Sequence, residues 1–265
     1  MSEKELISVR GVSKSFPLGR GKVHHAVTGA DLSIFEGETL ALVGESGCGK
    51  STLAKLILCI LQPDEGEIFF DGEKISGLSE KSLRPYRKQM QMVFQDPSSA
   101  LDPKMKIREI LAEPLRTWNL CRNKKETDEK ILDLLELVEL PESCLGRYPR
   151  QLSGGQKQRI GIARAIALNP RLLVCDESVS ALDVSVQAQI LNLLKRLRRE
   201  LSLTCLFISH DLSVVNFIAD RVCVMHDGKI CELAPTQELY ADPKNEYTRY
   251  LLSSIPRLPD PQTNA

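Results

Sequence analysis

The feature that most constrains this fold is a glycine-rich stretch, GESGCGKST, which stands between two different apolar patterns. The run TLALV at 39–43, before it, is typical of a strand buried on both faces of a parallel sheet. The run STLAKLILCIL after it has apolar residues at helical spacing as far as Pro63. Gly44 to Ser51 therefore has both the G-x-x-x-x-G-K-S spacing and the strand-to-helix context of a phosphate-binding loop.

The residue types of this loop suit a nucleotide. Backbone N–H groups and the start of the helix favour phosphate oxygens, and Gly47 and Gly49 would let the backbone approach a ligand closely. Lys50 would neutralise the β- and γ-phosphates, and the Ser51 hydroxyl would ligate Mg²⁺. The alternative is a glycine-rich turn without a ligand. The predicted nucleotide-contacting residues are Gly44, Glu45, Ser46, Gly47, Cys48, Gly49, Lys50, Ser51 and Thr52.

Two acidic residues follow a second apolar strand, RLLVCDE at 171–177. Ligands of open α/β sheets bind at the carboxyl ends of the strands, where Asp176 and Glu177 would lie. Asp176 is predicted to hold Mg²⁺, and Glu177 to polarise an attacking water. The alternative is a charged pair that only ends a strand.

The rest of the chain indicates one α/β core with an insertion. Alternating apolar and polar residues before residue 36 predict antiparallel strands, and Asp-Gly pairs at 71–72 and 227–228 predict hairpins. Helical patterns without strand signals follow from about residue 96, and strands alternate with helices after residue 168, which predicts a mostly parallel sheet. The proline-rich end, PRLPDPQTNA, is expected to be a loose tail.

Charge and cysteine usage narrow the function class. The 35 basic and 35 acidic residues cancel, which leaves no electrostatic footprint for nucleic acid, so no nucleic-acid partner is expected. No apolar run reaches transmembrane length and no signal peptide is recognisable at the N-terminus, so a cytosolic chain is expected. The eight cysteines form no CxxC pair and are expected to be reduced core residues. His24 and His25 are expected to lie in a surface loop rather than in a metal site.

A second glycine pair occurs in LSGGQ at 152–156, before a predicted helix. Ser153 and Gln156 have the spacing of a capping box. Capping alone does not explain Gly154 and Gly155, because glycine in a helix costs up to about 1 kcal/mol relative to alanine. Bare backbone at a helix N-terminus suits a closely approaching anion, so the sequence favours a second phosphate contact over simple capping.

Three further motifs accompany those described above. They are Gln95 in VFQDP, SALD at 180–183, and His210 in ISHD. In type and order the motifs resemble those of an ABC-type ATPase, the nucleotide-binding subunit of an ATP-binding-cassette transporter. The similarity covers nearly the whole chain. It implies a RecA-like P-loop NTPase fold of the α/β class, with a mostly parallel sheet, an antiparallel β subdomain and an inserted α-helical subdomain, and it implies ATP hydrolysis with ATP and Mg²⁺.

The resemblance also implies roles for single residues. Gln95 would contact Mg²⁺ and the attacking water, and His210 would hold the γ-phosphate and position Glu177; the alternative for His210 is a helix cap. Phe16 takes the place of the aromatic residue that stacks on adenine, although the long loop PLGRGKVHH would follow it, and a core phenylalanine is the alternative. The remaining implied nucleotide contacts are Ser153, Gly154, Gly155 and Gln156, which would face the ATP of a partner subunit, and Asp183.

The subfamily is indicated by FQDPSSALDP, DESVSALD and EYTRYLLSSIPRLPDP, which resemble ATPases of peptide and nickel importers. The DESVSALD form resembles the second ATPase of such systems. The implied partners are a different ATPase subunit, two integral membrane permease subunits contacting residues 97–118, and indirectly a substrate-binding protein. The implied location is peripheral, at the cytoplasmic face of the cell membrane.

Several points stay open at this level. The transported solute, whether dipeptide, oligopeptide or nickel complex, is not identified, and a soluble ATPase of translation or DNA repair is the alternative function. Asn245 and Glu246 replace the usual histidine and proline, and the tail lacks a cysteine cluster, so no iron–sulfur site is expected. We expect an ATPase domain at 1–240, with a helical subdomain at about 96–165, and a C-terminal extension at 241–265.

Overall fold

The structure, a computed structural model, describes residues 4–19, 22–96, 100–180 and 182–254. One of its two sheets is antiparallel, with the strand order β2-β1-β4-β5. Its strands are β1 (Glu5–Gly19), β2 (Lys22–Phe35), β4 (Glu65–Phe70) and β5 (Glu73–Lys74).

The second sheet has the order β10-β9-β3-β8-β7-β6, and its strands are parallel except for the antiparallel edge strand β10. This arrangement confirms the mostly parallel sheet predicted from alternating strands and helices. Its strands are β3 (Thr39–Val43), β6 (Met90–Val93), β7 (Leu172–Asp176), β8 (Thr204–Ser209), β9 (Arg221–His226) and β10 (Lys229–Pro235).

Helices cover both faces of the parallel sheet. They are α1 (Lys50–Ile57), α2 (Glu80–Gln89), α3 (Ile107–Thr117), α4 (Lys124–Leu137), α5 (Gly154–Ile166), α6 (Val184–Leu201), α7 (Leu212–Ile218), α8 (Thr236–Ala241) and α9 (Glu246–Ser253). Short 3₁₀ turns at Glu142–Cys144 and Pro149–Gln151 precede α5. None of the helices in the described ranges is both long and apolar enough to cross a membrane.

The central strands are buried on both faces, as their continuous apolar runs predict. Side chains alternate across a strand, and β7 shows the result. Leu172 and Val174 join the core between α1 and the antiparallel sheet, whereas Leu173 and Cys175 join the core formed with the helical insert, α5 and α6. The carboxyl ends of these strands therefore emerge at one rigid edge.

Two local predictions need correction. The loop expected around His24 and His25 is a long hairpin, because β1 continues to Gly19 and β2 begins at Lys22. Helix α1 stops at Ile57 rather than near Pro63, and Cys59 has a positive φ of 52°. The guanidinium of Arg87 on α2 donates to the carbonyls of Leu58 and Cys59 at 2.5 and 3.0 Å, which terminates the helix from a distant part of the chain.

The eight cysteines are all free thiols, and six of them are buried. Cys205 and Cys223 lie within strands of the parallel sheet, where burial raises the pKa of each thiol to about 12. These thiols therefore behave as small apolar core groups, as predicted. The predicted tail from residue 256, and residues 97–99 of the predicted permease-contacting segment, lie outside the described residues.

Candidate active site at the phosphate loop

The phosphate loop has a backbone that only glycine can adopt at its two ends. Gly44 and Gly49 have φ values of +150° and +106°. A Cβ atom at Gly44 would lie 2.1 Å from the Met225 carbonyl oxygen, and one at Gly49 would lie 2.0 Å from the Ala26 carbonyl oxygen. These two glycines therefore allow close packing of the loop against β9 and β2. Gly47, with φ +84°, has open space beside it and is the position free for a ligand's approach.

Lys50 begins α1 and is 4% exposed. Its ammonium group donates to the carbonyl oxygens of Gly44 and Glu45 at 2.8 and 2.7 Å, so the charge lies inside the arc of the loop. A buried cation at a helix N-terminus creates a local field that favours phosphate oxygens. The loop is thus preorganised for the anionic part of a nucleotide.

A cleft of about 450 Å³ opens in front of the loop, and residues of two other motifs also line it. Gln95 and Glu177, more than 80 residues apart in sequence, both reach its wall. Of the other predicted loop residues, Glu45 and Ser46 are exposed and Cys48 is buried. The cleft is lined by His24, Ala26, Ser46, Gly47, Gly49, Lys50, Ser51, Thr52, Gln95 and Glu177.

His24 is a cleft residue that the sequence analysis assigned to a loop. Its strand pairs with β1, so that His24 lies opposite Phe16, and His25 bonds to the Ser15 hydroxyl through its Nδ1 atom at 2.9 Å. Consecutive strand residues point to opposite faces, which separates the two imidazoles. The β-branched valines on either side of the pair, Val23 and Val27, were the signal that favoured a strand.

Phe16 is half-buried on β1, with the Lys14 ammonium 5.8 Å from its ring centroid. It does not line the cleft but neighbours His24, which does. Stacking of Phe16 on adenine stays a prediction.

Asp176 and Ser51 bring two oxygen atoms together at the edge of the loop. The Ser51 hydroxyl donates to Asp176 Oδ1 at 3.0 Å, and Asp176 is 7% exposed at the end of β7. Burial raises the pKa of the Asp176 carboxyl, an effect that the Ser51 hydrogen bond opposes. Carboxylate and hydroxyl oxygens are the donors that Mg²⁺ prefers, so these two residues fit the predicted metal site.

The raised pKa leads to a stability prediction. Because burial disfavours the charged carboxylate, Asp176 costs folding free energy at pH values above its pKa in the unfolded chain. Asp176→Asn should raise the unfolding temperature of the nucleotide-free chain. The gain should shrink as the pH falls through the raised pKa, where the native carboxyl takes up a proton, and should vanish below the pKa of the unfolded chain. The same variant should weaken Mg²⁺-dependent ATP binding.

Calorimetric unfolding over a pH series checks this prediction, and Asp183 supplies the control. The Asp183 carboxylate accepts bonds from Val186 N and the Ser185 hydroxyl, which lower its pKa. Asp183→Asn should therefore lower the unfolding temperature near pH 7. A destabilised Asp176→Asn variant would contradict the assigned cost of burial.

Glu177 is held in a strained conformation at the cleft. Its φ is +43°, and its backbone N–H donates to the Ile208 carbonyl at 3.0 Å. Such a backbone costs on the order of 1–3 kcal/mol for a residue other than glycine. The strain turns the carboxylate towards the cleft wall that the phosphate loop shares.

Gln95 and His210 lie beside the two oxygens of the Glu177 carboxylate. The Gln95 amide donates to Oε2 at 2.9 Å, and His210 Nδ1 lies 3.6 Å from Oε1. His210 and Gln95 therefore lie on the two sides of this carboxylate, and the positioning of Glu177 by His210 stays a prediction. A carboxylate fixed between an amide and an imidazole beside a phosphate site is suited to orienting a water molecule.

LSGGQ forms the predicted capping box. The Ser153 hydroxyl accepts from Gln156 N at 3.2 Å, and Gln156 Oε1 accepts from Ser153 N at 3.1 Å. The glycines have a further role within this chain. A Cβ atom at Gly155 would lie 2.5 Å from Val186 Cγ1, and one at Gly154 would lie 3.3 Å from Leu182 Cδ2. The start of α6, capped by Asp183, therefore packs directly on this bare backbone.

Packing at Gly155 is testable by alanine substitution. Gly155→Ala should lower the free energy of unfolding by about 1–3 kcal/mol, the usual cost of overpacking. Val186→Ala in the same chain should recover most of the loss. The matched control is Gly161→Ala on the same helix, where a Cβ atom meets nothing within 4 Å. That variant should gain about 0.5–1 kcal/mol. Equal effects in urea unfolding at both glycines would contradict the packing role.

Ser153, Gly154, Gly155, Gln156 and Asp183 are not among the residues that line the cleft of the described chain. The predicted nucleotide contacts thus divide into two groups. Contact of the second group with a partner's ATP stays a prediction.

Comparison of the sequence with known proteins finds relatives of one family. Residues 27–180 match the family described as ABC transporter. The chain is 49% identical over 260 residues to the oligopeptide transport ATP-binding protein OppF of Streptococcus mutans. The alignment covers 98% of this chain and 84% of that protein. It is 45% identical over 260 residues to the dipeptide transport ATP-binding protein DppF of Lactococcus lactis. That alignment covers 97% of this chain and 83% of that protein.

Two solved structures have a fold similar to that of this chain. The ATP-binding cassette MJ0796, in a dimeric post-hydrolysis state bound to ADP and Pi, superposes with a TM-score of 0.79 at 32% identity over 87% of this chain and 99% of that chain. The cbiO1 protein of Clostridium perfringens, part of the ABC transporter complex cbiONQ, superposes with a TM-score of 0.80 at 28% identity over 96% of this chain and 97% of that chain.

Proposed function

Because this chain belongs to the ABC transporter family, we propose that it is the ATP-hydrolysing subunit of an ABC importer for peptides. The family, the P-loop NTPase fold and the ATPase activity predicted from the sequence are confirmed by the matches above. The observation that carries the peptide assignment is the 49% identity, over 98% of the chain, to a relative named for oligopeptide transport. Nickel, the other cargo class of the predicted subfamily, is the alternative substrate.

The site geometry supports a mechanism based on positioning and charge stabilisation. The loop N–H groups and Lys50 hold the phosphates of ATP and stabilise the charge on the phosphoryl oxygens as the terminal phosphate leaves. Glu177 orients the attacking water and accepts its proton. Gln95 and His210 keep that carboxylate at the cleft.

Ser51 and Asp176 are the residues that would hold Mg²⁺. When bound, the ion would neutralise phosphate charge and orient the terminal phosphate groups. Its presence is part of the proposal, supported by the convergence of the two oxygen atoms at the edge of the loop.

The second group of nucleotide contacts supports a dimer of cassettes. LSGGQ and Asp183 lie outside the chain's own cleft, so we assign them to the ATP of a second ATPase subunit. The dimeric state of a structural relative is compatible with this arrangement. That the second subunit is a different chain rests on the DESVSALD resemblance.

A groove supports contact with the permease subunits. It has a volume of about 420 Å³ and lies between β6, α3 and α5. Phe94 at its wall is 46% exposed. Gln158, which is 1% exposed, lines it with an amide nitrogen that has no hydrogen-bond partner within the described chain. An apolar groove with one unsatisfied donor suits a short helix of a membrane subunit, which would place the chain at the cytoplasmic face of the membrane.

Purification of the chain with its natural partners tests the proposal. We expect two integral membrane proteins and a second ATPase to co-purify. In proteoliposomes, ATP hydrolysis should rise when the substrate-binding protein encoded beside this gene carries a peptide. Stimulation by a nickel complex instead would change the substrate class. Co-purification with ribosomes or DNA, without membrane proteins, would support the translation or DNA-repair alternative and overturn the importer.

A further inference from the structure

The last described helix, α9, packs behind the phosphate loop, about 200 residues away in sequence. Its Tyr247 hydroxyl oxygen accepts a hydrogen bond from the backbone N–H of Glu45 at 3.2 Å. The Tyr247 ring stacks on His226 at the end of β9, with centroids 3.8 Å apart and planes inclined by 29°. The C-terminal extension therefore touches the loop that holds the phosphates.

The position of Tyr247 is set by the neighbouring strand. The Glu232 carboxylate on β10 accepts from the backbone N–H groups of Lys244 and Asn245 at 2.8 and 3.0 Å. The Asn245 side chain caps α9 by accepting from Tyr247 N at 2.8 Å. The backbone that leads into Tyr247 is thus fixed, and its ring is held by the stack on His226.

The bond to Glu45 N acts on a particular peptide unit. The carbonyl of the Gly44–Glu45 peptide accepts from the Lys50 ammonium at 2.8 Å. The N–H of the same peptide donates to Tyr247. The peptide is therefore held at its two ends, by the nucleotide-facing lysine and by the C-terminal helix. Rotation of this peptide would remove one of the carbonyls that fixes the lysine.

A small cavity between α9 and the phosphate loop also shows that these two segments lie close together. It has a volume of about 240 Å³, lies behind the loop and is bordered by Gly44, Glu45, His210 and Leu251. Leu251 belongs to α9 and packs against the core around Val43. Helix α9 thus contributes to the wall of a cavity that borders the phosphate loop and His210.

We propose that Tyr247 is a positioning residue of the ATP site, which fixes the Gly44–Glu45 peptide and through it the Lys50 ammonium. The inference rests on the proposed ATPase function and extends it to the C-terminal helix. ATP affinity then depends on a hydroxyl group that does not touch the nucleotide. The competing role is purely structural: the ring anchors α9 by stacking, and the hydroxyl is irrelevant to nucleotide binding.

Tyr247→Phe separates these roles, because it keeps the stacked ring and removes only the hydroxyl. We expect ATP to bind the purified chain about three- to ten-fold more weakly, in line with the loss of one hydrogen bond. The unfolding temperature should fall by no more than a few degrees, about the effect of one hydrogen bond. In the assembled transporter, KM for ATP should rise while kcat stays close to the native value. The Glu45 amide should exchange its hydrogen faster.

The matched control is Tyr250→Phe on the same helix, where the side chain is 61% exposed. Its ATP affinity and Glu45 exchange rate should equal those of the native chain. Equal ATP dissociation constants for Tyr247→Phe and the native chain would overturn the positioning role. A native chain that failed to bind ATP would overturn the proposed function itself, and the inference with it.

Discussion

Replacing Glu177 with glutamine is expected to lower the rate of ATP hydrolysis by about a hundred- to ten-thousand-fold, the range for removal of a general base. ATP binding should be nearly unchanged, because the substitution keeps the size of the side chain and an oxygen that can accept from Gln95. The strained backbone of Glu177 aims its carboxylate at the cleft, and an amide in its place cannot accept a proton from water.

The comparison should be made in the assembled transporter, with phosphate release as the readout and ATP binding measured on the same preparation. Glu200→Gln, an exposed carboxylate on α6, controls for the loss of one negative charge and should hydrolyse ATP at the native rate. If the complex carrying Glu177→Gln hydrolysed ATP normally, the assignment of this carboxylate would be wrong.

Replacing Lys50 with alanine should weaken ATP binding by about ten- to a hundred-fold. A hydrogen bond to a charged group contributes about 1.5–3 kcal/mol, and each 1.4 kcal/mol is a factor of ten in affinity. The ammonium is buried within the loop and lies against the carbonyls of Gly44 and Glu45. Its loss removes both the phosphate contact and the group that keeps these carbonyls turned inward.

Equilibrium titration with ATP and with AMP measures this effect. The loss should be larger for ATP, because AMP lacks the β- and γ-phosphates that Lys50 is expected to contact. Lys81→Ala, an exposed lysine on α2, removes the same charge from a helix that does not line the cleft and should bind ATP as the native chain does. An unchanged ATP dissociation constant for Lys50→Ala would refute the role of the ammonium.

Much of the site was predictable because its parts are local. The strand, loop and helix around GESGCGKST are adjacent in sequence, and their spacing alone places a cation at a helix N-terminus. The carboxyl ends of parallel strands share one edge, so the meeting of Asp176 with Ser51 follows from two separate strand–loop patterns. The capping box of Ser153 and Gln156 is also local, and it forms as predicted.

Other features were not predictable, because they depend on which distant segments pack together. LSGGQ specifies a helix start, but only the packing of Val186 against Gly155 reveals why a side chain is excluded there. Gly49 was expected to let the backbone approach a ligand closely, yet carbonyls from β9 and β2 lie where Cβ atoms at Gly44 and Gly49 would stand. A local sequence pattern indicates the conformation of the backbone. It does not indicate which atoms of distant segments pack against that backbone.

The sequence alone determined the phosphate loop and the family, and it predicted a metal-binding pair and a carboxylate base. The tertiary structure decided how that chemistry is held. It placed His24 beside the cleft, gave Glu177 its strained backbone between Gln95 and His210, and brought Tyr247 against the loop. The physical reason is that covalent neighbours specify residue types and local conformation, whereas long-range contacts arise only when the sheets and helices share one core.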